Sequence, residues 1–129
     1  MEAVAVHLVE GPLAAAADGG RGAGRSGAVV LFEGVVRGSE GGRPLRCLRY
    51  EAYEPMTTAE LQRLGGAVVG EFGLQALGVW HSVGEVGVGE VSFRLRVRSA
   101  HRAEALAAAS AFIDRMKADV PLWKVPAFG

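Results

Sequence analysis

The chain has 129 residues, half of them apolar, which is room for one hydrophobic core, so a single domain over residues 1–129 is expected. Fourteen Lys and Arg balance fourteen Asp and Glu, and a net charge of zero offers no long-range attraction for a polyanion, which disfavours nucleic acid and membrane surfaces as partners. The single cysteine excludes an intrachain disulfide and a CxxC metal site, and points to a reducing, cytoplasmic location.

Val4, Val6 and Leu8 alternate with Ala3, Ala5 and His7 at the two-residue period of a half-buried strand. No basic and apolar leader precedes them, so no secretory signal is expected. Residues 11–26 dissolve into Gly and Ala and read as a flexible loop, with room for a helical turn from Leu13 to Ala17. Inside it, Gly22-Ala-Gly-Arg-Ser-Gly27 satisfies GxGxxG, and Gly19 to Ser26 approaches a phosphate-binding loop with Arg25 where Lys is required. Both motifs need a helix after them, so that phosphate meets its N-terminus. Ala28 to Phe32 is strand-like instead, and the loop reading stands.

Gly27 to Arg37 predicts a buried strand, with Gly34 marking a bulge or close backbone approach. Ser39 to Gly42 predicts a turn, and Leu45 to Tyr53 the next strand. Cys47 within it reads as a small buried hydrophobe, because Arg46 points to the opposite face. Pro55 suits a helix start, and Met56, Leu61, Leu64, Val68 and Phe72 carry that helix at roughly 3.6-residue spacing, weakened by Gly65 and Gly66. The longest uncharged run, Phe72 to Gly84, spans thirteen residues with a His and several Gly, too short and polar for a bilayer. Leu77 to Val83 and Val88 to Val97 predict two strands joined as a hairpin around Gly84 to Gly87. In the second, Val91, Phe93, Leu95 and Val97 face the core, and Arg94, Arg96 and Arg98 face solvent or another subunit. Ala100 to Lys117 predicts a second helix, ended by Pro121, and Leu122-Trp-Lys124 is apolar enough to be pinned to the body. The predicted class is α+β, with a mostly antiparallel sheet and two main helices.

Twelve of the fourteen basic residues are Arg, leaving Lys117 and Lys124 as the two side chains able to act as a primary amine. Lys124 follows Pro121 and Trp123, a setting expected to hold its amine against apolar surface, where such a group turns to acid or base chemistry. Lys117 closes the second helix, where a cation also complements the dipole. His101 and Arg102 open that helix, where a cation is unfavourable unless an anionic ligand joins it. Arg37, at the end of a buried strand, suits fork-like recognition of phosphate or carboxylate. No metal-ligand cluster is visible.

Several segments together resemble one family in order and spacing: Phe32-Glu-Gly-Val-Val-Arg37, Leu48-Arg-Tyr-Glu-Ala-Tyr-Glu-Pro-Met56, His81-Ser-Val-Gly84, Val88-Gly-Glu90, Ser99-Ala-His-Arg102, and Ile113-Asp-Arg-Met-Lys117 with Val120-Pro-Leu-Trp-Lys124. The chain resembles the large, catalytic subunit of molybdopterin synthase from about Gly27 to Lys124. The resemblance implies an α/β hammerhead-type fold, a homodimer, and a heterotetramer with a small ubiquitin-like sulfur carrier that ends in a Gly-Gly thiocarboxylate. It implies no resident cofactor; the substrate would be cyclic pyranopterin monophosphate and the product molybdopterin, its dithiolene formed by sulfur transfer. By position in the family's motifs, Lys117 and Lys124 would be catalytic, Arg37, His101 and Arg102 would bind the substrate's phosphate and pterin, and Phe32 would shape the pocket.

The chain departs from the family pattern at Ser82, where a basic residue is usual, after Lys124, where Val-Pro-Ala-Phe-Gly replaces a basic residue and Glu, and in the Gly/Ala-rich segment before Gly27. Arg102 and Lys117 lie fifteen residues apart, about 22 Å along one helix. If both serve one small-substrate pocket, the His101/Arg102 end belongs to a second protomer. The alternative from another class is a non-catalytic dimeric sensor that binds an anionic metabolite at His101 and Arg102.

Overall fold

The computed structural model describes residues 3–16 and 24–129. β1 (Val4–Glu10), β2 (Ala28–Val35), the two-residue β3 (Ser39–Glu40) and β4 (Arg43–Ala52) precede α1 (Met56–Phe72); β5 (Ala76–Gly87), β6 (Val91–Ser99), α2 (Arg102–Asp119) and β7 (Leu122–Phe128) complete the chain. The strands run β2-β6-β5-β4-β3, with β1 beside β5 and β7 beside β4. Every pairing is antiparallel except β1 with β5. The expected α+β class with a mostly antiparallel sheet and two helices is what is found.

Both helices lie on one face of β1-β5-β6-β2. Leu61, Leu64 and Val68 of α1 and Ala105, Ala108, Ala109 and Phe112 of α2 meet Leu77, Val79, Leu95 and Val97 in one core. The alanines keep α2 low on the sheet, so its apolar stripe is buried despite having few large side chains. β5 leaves this sheet at Gly84 and continues beside β4, joining a second, smaller core of Val36, Leu45, Leu48 and Val86 with Tyr50 and Phe128 against it. Gly65 lies within the packing of the first core: a Cβ there would stand 2.6 Å from Val4 Cγ1, whereas one on Gly66 would meet nothing within 4 Å.

Four expectations about the elements change. β2 is not a buried strand: none of its residues is buried and Val29, Leu31, Phe32 and Val35 are exposed, because it lies at the edge of the sheet and pairs with β6 alone. β5 runs on to Gly87, so the hairpin turns at Val88 to Glu90, closed by the Glu90 N–H on the Gly87 carbonyl at 3.1 Å. The tail is a full strand, which β4 recruits along Leu45 to Ala52. Arg94 is buried: its guanidinium pairs with Glu33 across the β2·β6 ladder and donates to the Ala14 carbonyl at 2.8 Å. The polar face of β6 is therefore partly covered by Glu33 of β2 and by the segment that carries Ala14. Gly34 does coincide with a register shift in the ladder, and Cys47 is buried. Leu13 to Ala16 shows no helical turn, while residues 17–23, and with them the start of the glycine motif, lie outside the described residues. The element after that motif is β2 rather than a helix.

Candidate active site

The ladder fixes which predicted residues can meet. Ala28 faces Ser99 at one end of β2·β6 and Val35 faces Val91 at the other, about 23 Å apart for seven strand steps. α2 begins just past Ser99, packs back across β6 and β2, and at eighteen residues is long enough to cover that distance. His101 and Arg102 therefore mark one end of the molecule. Arg37, Lys117 and the start of β7 belong to the opposite end, with Phe32 partway along β2.

At that second end the connections are tied together. Thr57, fully buried in the first turn of α1, donates its hydroxyl to the Pro121 carbonyl at 2.6 Å and accepts from the Tyr53 N–H at 2.8 Å. This joins the β4–α1 corner to the α2–β7 link that separates the two lysines. Val36 is pinned by the Glu90 carbonyl at 3.0 Å and the Gly89 N–H at 2.8 Å, so the exposed Arg37 comes directly after an anchored residue. Arg37 and Lys117 have no ion-pair partner among the described residues.

Lys124 faces Tyr50 across the β4·β7 ladder, so the two side chains share a face. Its ammonium sits 3.1 Å from a Glu40 carboxylate oxygen, and the lysine side chain is half exposed. The expected apolar setting is thus corrected: Trp123, the apolar neighbour in sequence, is itself exposed, because successive strand residues point to opposite faces. A pair this open adds about 1 kcal/mol or less to stability.

From Tyr50 a line of rings runs back to Phe32. Tyr50 meets His81 edge-on at 4.9 Å, His81 lies 5.7 Å from Phe93, and Phe93 lies 5.9 Å from Phe32, which is 42% exposed. The Tyr50 hydroxyl is held by Ser92 Oγ at 3.0 Å. His81 is buried, and burial lowers its pKa from the ordinary 6.5, so the ring is neutral. Its Nδ1 lies 2.8 Å from the Ser82 carbonyl, which can only accept, so Nδ1 carries the proton. Sequence reasoning does not single out this wall, although Tyr50 and His81 both fall inside the family's motifs. Ser82 itself is fully buried and its hydroxyl has no partner among the described residues.

At the other end, His101 caps α2 in extended conformation, its carbonyl accepting from the Ser99 hydroxyl, and both His101 and Arg102 are exposed. One chain thus brings Arg37, Lys117 and Lys124 towards one end, with Phe32 partway along β2 and linked through the rings to Tyr50, which faces Lys124, and leaves His101 and Arg102 at the other. A cavity of about 140 Å³ opens elsewhere, on the helix-free face where Arg96 and Arg98 border Ala5 and Gly78; no predicted site residue lines it. Among the described residues no three His, Cys, Asp or Glu side chains gather as a metal site.

The family model described as MoaE protein matches residues 9–119. The chain belongs to the MoaE protein family. It is similar to the molybdopterin synthase catalytic subunits of Pyrococcus abyssi, 36% identical over 77% of this chain and 67% of that one, and of Homo sapiens, 40% identical over 76% and 52%. It therefore spans about half the length of the human relative. Among solved structures, molybdopterin synthase from Staphylococcus aureus aligns with a TM-score of 0.83 at 28% identity, covering 95% of this chain and 90% of that one. A complex of subunits 1 and 2 of the molybdopterin-converting factor from Helicobacter pylori aligns at 0.77 with 24% identity, covering 95% and 84%. The MoaE match includes Phe32, Arg37, His101, Arg102 and Lys117 and stops before Lys124. No helix among the described residues is long and apolar enough to cross a membrane.

Proposed function

We propose that this MoaE-family chain moves sulfur from the C-terminal thiocarboxylate of a small ubiquitin-like carrier onto cyclic pyranopterin monophosphate, building the dithiolene of molybdopterin. The reading is supported by the topology, which turns α2 and β7 so that Lys117 and Lys124 lie towards the end where Arg37 follows β2, with Phe32 joined through a line of rings to Tyr50, the residue that faces Lys124. The reaction assembles a phosphate, a thiocarboxylate and a leaving oxygen, all anionic. Fixed guanidinium groups neutralise such charge, and an amine can in addition hand over or take up a proton.

In this mechanism Lys117 receives the carrier's C-terminus and stabilises the acyl link formed when its sulfur attacks the pterin side chain; water then releases the carrier as a carboxylate. Lys124 acts on the substrate as proton donor or acceptor. Arg37 binds phosphate, and Phe32, half-exposed above Phe93, offers a flat apolar surface to the pterin. His101 and Arg102 lie too far away on the same chain, so a second protomer supplies them and the active unit is a homodimer, which with two carriers forms a heterotetramer. The carrier assignment is supported by the two-subunit complex of the Helicobacter relative. The chain needs no resident cofactor in this scheme, and its place is the cytoplasm.

The test combines purified protein, a thiocarboxylated carrier and the cyclic pterin phosphate. Dithiolene formation with loss of carrier sulfur is expected, together with failure of Lys117→Ala and Lys124→Ala. Binding of the pterin without product, and tolerance of Lys124→Ala, would instead describe a sensor.

A further inference from the structure

Glu40 lies outside the segments that carry the family resemblance, yet it pairs with one of the site's two amines. Its position is built. Gly41 and Gly42, at φ 57° and 80°, make a tight two-residue turn directly after it. The Leu45 N–H closes the hairpin on the Gly38 carbonyl at 2.9 Å, and the preceding Val36 is bonded on both sides.

The ladder shows how unusual the contact is. Glu40 faces Arg43, and Lys124 faces Tyr50; Arg43 and Tyr50 would stand about 23 Å apart on a straight strand. Their neighbours meet at 3.1 Å. β4 must therefore bend enough to carry the β3–β4 hairpin back to Lys124, and the register shift between Leu45 and Cys47 marks an irregularity of the kind that bends a strand. The same segment carries Arg37, three residues before Glu40. On the other side of Lys124, Tyr50 is immobilised by Ser92 and His81. An exposed ion pair contributes little to stability, so stability alone does not account for a bent strand and a tight hairpin converging on it.

We propose that Glu40 is a positioning residue of the site: its carboxylate holds the Lys124 ammonium beside Tyr50 in the resting chain and yields it to the anionic group that arrives with the substrate. The role rests on the sulfur-transfer reading. It requires no chemistry of Glu40 itself, only that Lys124 exchange one negative partner for another.

Lys117 and Lys124 are the two lysines of the chain, so ¹³C-lysine labelling yields two side-chain signals, assigned with Lys117→Arg. In Glu40→Gln the Lys124 Cε signal should move while that of Lys117 stays. In the reconstituted reaction kcat should fall about tenfold with KM for the carrier nearly unchanged, and Glu40→Asp should recover part of the loss. An unmoved Lys124 signal overturns the proposal, as does a moved signal with unaltered kinetics. If the wild-type chain forms no product, the sulfur-transfer reading falls and takes the role of Glu40 with it. Product from wild type with Glu40→Gln indistinguishable from it removes Glu40 alone.

Discussion

A neutral, buried imidazole is a liability in acid. His81 lies between Tyr50 and Phe93, and burial depresses its pKa below 6.5. The unfolded chain therefore binds a proton that the folded chain resists, and stability gained from this residue is present above pH 6.5 and lost as pH falls towards the lower folded value. Urea midpoints between pH 7.5 and 5.5 should decline for the wild-type chain and decline less for His81→Phe; parallel slopes would show that His81 does not titrate in that window. Single residues reveal their types and spacing in the sequence better than their partners. Two lysines among fourteen basic residues are visible at once, as is the cation misplaced at a helix start, Arg102. The Glu40–Lys124 and Glu33–Arg94 pairs are not, because each joins residues more than sixty positions apart whose meeting depends on strand register and bend.

Elements obey their periodicity where burial is one-sided. α1 and α2 are legible from apolar spacing and stop signals, and the alternation in β6 locates its core face. The two-residue β3 gives no periodic signal at all, and the tail becomes a strand because β4 has an open edge to offer, a tertiary circumstance rather than a local preference. The extension of β5 past Gly84 is hidden by glycines that read as a turn. Within α1 the adjacent glycines separate two effects that sequence lumps together. Gly66→Ala adds a methyl to open space in a helix interior and should raise stability by about 0.5–1 kcal/mol. Gly65→Ala drives a methyl into Val4 and should lower it by about 1–3 kcal/mol. Thermal melts of the two variants check the pair; equal shifts would mean that β1 does not press on α1 as described.

Across the whole molecule, the order of β2, β6, α2 and β7 decides the chemistry. Both lysines and Arg37 come towards one end because α2 runs back along the β2·β6 ladder, with Phe32 partway along β2, and His101 and Arg102 stay at the other for the same reason. The motifs name all six residues, the helix length already separates Arg102 from Lys117, and the ladder adds that Arg37 belongs to the Lys117 end. If all six serve a single site, as proposed, that site draws on opposite ends of α2 from two copies of the chain, and the sulfur-transfer reading stands or falls with that sharing. Arg102→Ala and Lys117→Ala dimers, each inactive alone, should on subunit exchange regain about a quarter of the wild-type rate of dithiolene formation, since half of the dimers are mixed and each holds one intact site. A mixture no more active than its components, with exchange verified by mass spectrometry of the intact dimers, would contradict it.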